Sequence, residues 1–134
     1  MEQFIYGTAL GNLINTHAEY KGHKVTLDDD FSTEEAYNAY QGFLHPQPNG
    51  DVDYGPLPSW APTYAELQAE AERILAAIPW DNLRRERDKR IAETDWWASS
   101  DRTMTAEQTA YRQALRDLPD NTTDPENPVW PTKP

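Results

Sequence analysis

A chain of 134 residues can form one ordinary domain, or two small modules that a partner stabilises, but it is too short for two full enzyme domains. Its formal charge of -11 and pI near 4.5 disfavour binding to DNA, RNA or an anionic membrane, because affinity for phosphate groups comes from Lys and Arg. Only 37% of the residues are hydrophobic and 11 are prolines, which predicts a modest core and some irregular chain.

Other features of the composition narrow the class of protein further. Without cysteine there is no disulfide framework and no thiolate metal site, which fits a reducing cytosol. No secretory signal opens the sequence and no 18 apolar residues run together, so we expect a soluble, unsecreted protein. Five Trp, seven Tyr and three Phe are many for a mean hydropathy of -0.90, and aromatic side chains dominate protein interfaces.

Residues 1–60 are predicted to be an N-terminal module whose role the sequence does not reveal. Its first 27 residues mix β-branched and aromatic residues with glycines, and Lys24 to Leu27 alternate as a half-buried strand does, which predicts one or two short strands. Ser32 and Glu35 have the spacing of a capping box, so a short helix is expected from about Thr33 to Leu44.

A proline-rich linker is predicted to end this module. His45 to Pro62 contain five prolines together with Asn49-Gly50 and Gly55, and proline lacks the amide donor that a helix or a central strand requires. The linker therefore predicts the boundary to a helical region over residues 61–134.

The helical region is predicted to open with a central helix. A second capping box joins Thr63 and Glu66, and Leu67, Ala71, Ile74 and Ile78 recur at the spacing of one buried stripe. Pro79 is expected to end or kink this helix.

A helical hairpin is predicted to follow. Asp81 is expected to cap its first helix, which reaches about Thr94. Its second helix begins at the capping box of Thr105 and Gln108 and is closed by Pro119, with one face formed by Tyr111, Ala114, Leu115 and Leu118. A Pro- and Trp-rich tail, extended or polyproline-like, ends the chain. The predicted fold class is mainly α, as a small α+β protein.

Several segments after residue 84 resemble the phage tail assembly chaperone family, and they occur in the family's order. The run from Arg87 to Trp96 resembles its arginine-rich opening, and Met104 to Glu107 its entry to the second helix. Ala110 to Pro119 resemble its core, and Pro128 to Pro131 its closing tryptophan-proline segment. The residues Trp97 to Ser100 and the stretch from Asp120 to Asn127 depart from the pattern.

The resemblance covers about residues 84–134 and implies a function in tail or tail-fibre assembly. Members of the family are small proteins of tailed bacteriophages, so the implied location is the host cytoplasm during assembly, with retention in the virion as an alternative. Neither an enzymatic activity nor a cofactor is implied. The implied partner is a tail-fibre or other tail protein, with neither nucleic acid nor membrane, and the oligomeric state is left open.

Aromatic and apolar residues of the C-terminal third are the predicted partner-binding set: Trp96, Trp97, Tyr111, Leu115, Leu118 and Trp130. Of the two adjacent tryptophans, Trp96 is expected to pack locally and Trp97 to meet the partner, because exposed tryptophan is enriched at binding hot spots. Trp130 can either anchor the stiff tail on a partner or fold back on its own helices. The basic run Arg84 to Arg90 is predicted to be a solvated helix with local ion pairs.

Catalytic and metal-binding interpretations find little support in the sequence. Residues 49–60 alternate like a calcium loop but carry Tyr54 where glycine is required and Trp60 where a bidentate Glu is required. Asp28 to Asp30 are interpreted as a solvated turn. Glu93 and Asp95 should project to different sides of a helix, which disfavours their acting together as general acid and general base. The functions considered are thus a tail assembly chaperone, a permanent virion component such as a fibre or baseplate adaptor, and, least favoured, a small hydrolase.

Overall fold

The computed structural model describes residues 2–16 and 31–134, and these residues form four α-helices, one 3-10 helix and a two-stranded sheet. The chain divides into two compact units, Met1–Leu75 and Ala76–Pro134. The mainly α prediction with a small β component is confirmed. The prediction of separate domains at 1–60 and 61–134 stays a prediction. Lys24 to Leu27 and Asp28 to Asp30 lie outside the described residues.

The first described element is helix α1, Glu2–Asn15, where the sequence predicted strands. That prediction was wrong for this segment because the helical spacing of its apolar residues outweighed the β propensity of individual residues. Ile5, Ala9, Leu10 and Ile14 are buried, and their spacings of four, one and four residues place them on one helical face.

The predicted helix from Thr33 to Leu44 is only partly present. Helix α2, Glu34–Asn38, is capped by Thr33 rather than Ser32, since the Thr33 hydroxyl accepts a hydrogen bond from the amide of Ala36 at 3.2 Å. The chain then enters strand β1, Phe43–Pro46, so Leu44 lies in a strand and not in the helix.

The predicted proline-rich linker is largely an antiparallel hairpin. Strand β1 pairs with strand β2, Val52–Gly55, with Phe43 opposite Gly55 and Pro46 opposite Val52. Gly50 supports the reversal with a φ of 91°, a backbone conformation that favours glycine. The linker interpretation was wrong because Pro46 is the last residue of β1 and the other prolines of this segment lie outside both strands, where they remove no ladder hydrogen bond.

The core of the N-terminal unit combines α1, α2, the hairpin and the start of helix α3, Tyr64–Ala92. The Phe31 and Tyr40 rings meet edge to face at 4.9 Å, a favoured geometry for an aromatic pair. The Tyr37 hydroxyl donates to the carbonyl of Pro62, and burial first and Glu66 second raise the pKa of Tyr37 to about 12. Ten buried side chains make up this core: Ile5, Ala9, Leu10, Ile14, Phe31, Tyr37, Tyr40, Phe43, Leu67 and Ala71.

Helix α3 joins two predicted helices into one. It begins as predicted, because the Thr63 amide donates to the Glu66 carboxylate at 2.7 Å and the Glu66 amide donates to the Thr63 hydroxyl at 3.3 Å. It does not end at Pro79, which lies inside it, and Asp81 is an interior residue rather than a cap. A proline removes one helical hydrogen bond, and the 29-residue helix retains the bonds on either side.

The C-terminal unit continues with a 3-10 helix, Asp95–Ala98, and helix α4, Ala106–Asn121. The predicted capping box at the start of α4 is confirmed in both directions, with Gln108 as the reciprocal partner of Thr105. Pro119 does not close α4, which continues to Asn121. Beyond Asp124–Asn127, which form a turn, the tail contains neither helix nor strand, in agreement with the predicted extended tail.

Candidate protein-interaction surface

A small aromatic core holds the C-terminal unit together. Trp97, Tyr111 and Leu115 are buried, and the rings of Trp97 and Tyr111 lie 6.0 Å apart. The partly buried side chains around them are Ile91, Met104 and Trp130. Because these residues come from α3, the 3-10 helix, α4 and the tail, this core fixes all four segments of the unit.

A buried arginine joins the end of α3 to α4. Arg112 Nη1 donates to the Thr94 hydroxyl at 2.8 Å and to the carbonyl oxygen of Ile91 at 3.1 Å, while Nη2 donates to the Asp95 carboxylate at 2.8 Å. Arg112 and Thr94 are both buried, and Arg112 Nε has no hydrogen-bond partner. The guanidinium therefore adds a donor to the Ile91 carbonyl at the helix end, which also accepts from the Thr94 amide at 3.0 Å.

The two adjacent tryptophans have opposite environments, and the sequence prediction had them reversed. Trp97 is 4% exposed and packs in the core, whereas Trp96 is 53% exposed. The 3-10 helix turns the two side chains apart, with 72° between their ring planes. The guanidinium carbon of Arg102 lies 4.5 Å from the centre of the exposed Trp96 ring, a cation-π arrangement.

The C-terminal tail returns along its own unit. Asp124 accepts hydrogen bonds from the Asn127 side chain at 2.9 Å and from the Glu126 amide at 3.0 Å, and these bonds lower the pKa of Asp124. After this turn Trp130 packs against the aromatic core, with the Arg90 guanidinium 4.1 Å from its ring centre. Of the two options left open for Trp130, packing on its own helices is the one observed.

Val129 is the most prominent apolar side chain of this unit. It is 87% exposed, between the half-buried Pro128 and Trp130. Two shallow grooves, here called the Val129 grooves, both have Val129 in their lining. One, of about 530 Å³, is lined by α4 and tail residues that include Ala110, Ala114, Leu118, Val129 and Trp130. The other, of about 220 Å³, is lined by residues that include Leu118, Asn121, Thr122, Pro128 and Val129.

The basic segment of α3 forms local ion pairs, as predicted. Arg90 Nε lies 2.9 Å from Glu86, one helical turn earlier, and Arg84 lies 3.3 Å from Asp81. Lys133 of the tail lies 3.9 Å from Glu93. Exposed pairs of this kind contribute little stability, but they neutralise charge on this part of the surface.

Neither a metal cluster nor a membrane helix is found in the described parts of the chain. Within residues 2–16 and 31–134, no three His, Asp or Glu side chains are grouped so that they could hold a metal ion. Over the same ranges, no helix is both long and apolar enough to cross a membrane. The His45 ring bonds to the Pro56 carbonyl oxygen at 2.8 Å.

The comparison with known protein families gives a match within the C-terminal unit. Residues 80–134 match the family of phage tail assembly chaperone proteins. This match agrees with the resemblance noted over residues 84–134, and it leaves residues 1–79 uncovered. Comparison with curated proteins and with solved structures finds no match for the chain.

All six predicted partner-binding residues lie inside the segment that resembles tail assembly chaperones, and four of them are buried. Trp97, Tyr111, Leu115 and Leu118 are each less than 9% exposed, so their side chains stabilise the unit. Trp96 is the residue of the predicted set that is largely exposed. Sequence reasoning missed both the exposed Val129 and the buried Arg112. For Val129 a signal was available, since it is a lone aliphatic residue between a proline and a tryptophan.

Proposed function

We propose that this chain is a bacteriophage tail or tail-fibre assembly chaperone that acts in the host cytoplasm. The observation that carries the proposal is the agreement between the family match at residues 80–134 and the compact unit Ala76–Pro134. The segment that resembles the family thus has a folded core of its own and can present a defined surface to a partner.

The proposed partner-binding surface consists of the Val129 grooves and Trp96. An aliphatic side chain that is 87% exposed loses unfavourable contact with water when a partner covers it. The tail that carries Val129 is already fixed by the Asp124 turn and by Trp130, so little conformational entropy remains to be lost on binding. Trp96 offers a second aromatic anchor, a residue type common at binding hot spots.

The mechanism we propose is masking of apolar surface on a newly made tail protein. Apolar side chains of the partner would enter the Val129 grooves, and assembly of the partner into its oligomer would then displace the chaperone. A non-enzymatic role follows from this mechanism, since binding and release are sufficient. Trp97, Tyr111 and Leu115 support the surface from behind, whereas Leu118 and Trp130 line the Val129 grooves that the partner would enter.

Co-expression with the tail-fibre protein of the same phage tests this proposal. The Val129→Asp variant should lose most of its co-purification with the fibre protein, because a carboxylate is costly to bury in an apolar contact. Thr132→Asp is the matched control, since Thr132 is exposed on the same tail and receives the same charge. Equal capture of the fibre protein by both variants, with circular dichroism showing both folded, would contradict the proposed surface.

A further inference from the structure

The β-hairpin of the N-terminal unit has one apolar face that points to solvent. Residues directly opposite one another in an antiparallel pair share a face, and residues two apart along a strand share it too. Pro46 lies opposite Val52, and Tyr54 is two residues further along the same strand, so these three residues share a face of the sheet. We call them the hairpin face.

The other face of the hairpin is the one used for folding. Phe43 on that face is 0% exposed, and its ring lies 5.9 Å from that of Trp60, edge to face. Val52 and Tyr54 on the hairpin face are 53% and 68% exposed. One side of this sheet therefore packs in the core, while two large side chains of the other side stay in contact with water, as is common in antiparallel sheets.

The N-terminal unit that carries the hairpin is strongly acidic in sequence. Residues 1–75 contain 12 acidic and 3 basic residues, a net charge of -9, whereas the whole chain carries -11. Asp51 and Asp53 on the hairpin itself are exposed. In the described part of this unit the one basic residue is Arg73, which is engaged by Glu70 at 2.7 Å.

We propose that the hairpin face is a second protein-binding surface, and that its partner presents apolar side chains surrounded by Lys and Arg. The apolar side chains would cover Val52 and Tyr54, and the cations would be attracted by the net charge of -9 that residues 1–75 carry. A second copy of this chain is a poor occupant, because two units of net charge -9 repel each other. The proposal is independent of the C-terminal surface, which lies in the other compact unit.

Two synthetic peptides test the proposal with the full chain. One alternates Leu with Lys and the other alternates Leu with Glu, so they share apolar content and differ in charge. We expect the Leu-Lys peptide to bind in fluorescence polarisation at physiological ionic strength and the Leu-Glu peptide not to bind. The Val52→Ser/Tyr54→Ser double variant should bind the Leu-Lys peptide about tenfold more weakly, because two apolar contacts are lost.

A matched control separates the hairpin face from general attraction of a cation to an acidic protein. Leu75→Ser also removes a 43% exposed aliphatic side chain from the N-terminal unit, and its affinity should stay at that of the parent chain. Equal affinity of the parent chain and the Val52→Ser/Tyr54→Ser variant would overturn the proposal. So would a dimer in sedimentation velocity that the double variant converts to a monomer, which would identify a second copy as the occupant.

Discussion

Arg112 donates a hydrogen bond to the hydroxyl of Thr94 at 2.8 Å, between two side chains that are 7% and 0% exposed. The Thr94 hydroxyl in turn donates to the carbonyl oxygen of Ile91 at 2.8 Å, and Arg112 donates to the same oxygen. A single buried cation therefore organises the turn between α3 and the 3-10 helix. Such a group is costly to leave without partners, which makes the contact specific to this packing.

Replacing Arg112 with methionine should destabilise the C-terminal unit by about 1–3 kcal/mol, because the Ile91 carbonyl and the Thr94 hydroxyl lose a buried donor. The measurement is urea unfolding followed by tryptophan fluorescence. Arg116→Met is the control, since Arg116 is exposed on the same helix, and it should change the unfolding free energy by less than about 0.5 kcal/mol. Equal stability of the two variants would show that the arginine network is not needed for folding.

The tryptophan pair gives a second prediction about stability. Trp97→Ala should cost about 3–5 kcal/mol, since it empties a buried aromatic site. Trp96→Ala should cost less than about 1 kcal/mol, because it removes only an exposed ring and its contact with Arg102. Both values come from the same unfolding experiment. The reverse order would mean that Trp96 and not Trp97 lies in the core.

Glu70 gives the N-terminal unit a dependence on pH. Its carboxylate accepts hydrogen bonds from Arg73 and from Asn12, and these lower its pKa from 4.5 to about 2. A lowered pKa contributes stability that is present above the unfolded value of 4.5 and is lost as the pH falls through about 2. Glu70→Gln should therefore flatten the fall in stability over this range.

The size of this pH effect should stay below about 1 kcal/mol, because Arg73 is largely exposed and the ion pair is screened. The check is a series of thermal unfolding curves between neutral pH and pH 2. Glu72→Gln is the comparison variant, since Glu72 is an exposed carboxylate on the same helix, and it should change the slope less. A slope unchanged in Glu70→Gln would exclude this carboxylate as a source of acid sensitivity.

The proposed function predicts the composition of the finished particle. A chaperone that is released on oligomerisation should be present in infected cells and absent from purified virions. Quantitative mass spectrometry of both samples measures this directly. A fixed number of copies per virion would instead identify the chain as a permanent tail component, the alternative that the sequence left open.

The capping boxes were predictable because their information is local. Thr63 with Glu66 and Thr105 with Gln108 each satisfy helix amides within four residues, so sequence spacing alone identifies them. The family resemblance after residue 84 was predictable in the same way, from short segments in a characteristic order. Pro79 and Pro119 misled the prediction, since packing of a long helix can outweigh the single hydrogen bond that a proline removes.

The exposure of Trp96 and Trp97 could not be predicted, because it depends on how the 3-10 helix is oriented on α4. Local sequence does not determine that orientation, whereas the Arg112 network and the contact of Trp97 with Tyr111 do. The Val129 grooves were missed for the same reason. They arise where the tail meets α4, and contacts between segments distant in sequence leave no periodic signal.

The shared helix α3 has a practical consequence for dividing this protein into pieces. A fragment that begins at Ala76 would start inside the helix and lack the Thr63 cap, and the amides of Ala76, Ala77 and Ile78 would lose their carbonyl acceptors. A fragment that begins at Thr63 keeps the cap but strips Leu67 and Ala71 of the side chains that bury them. Both cuts therefore remove contacts that stabilise the shared helix, and a fluorescent protein is better inserted at the exposed Asn49-Gly50 turn.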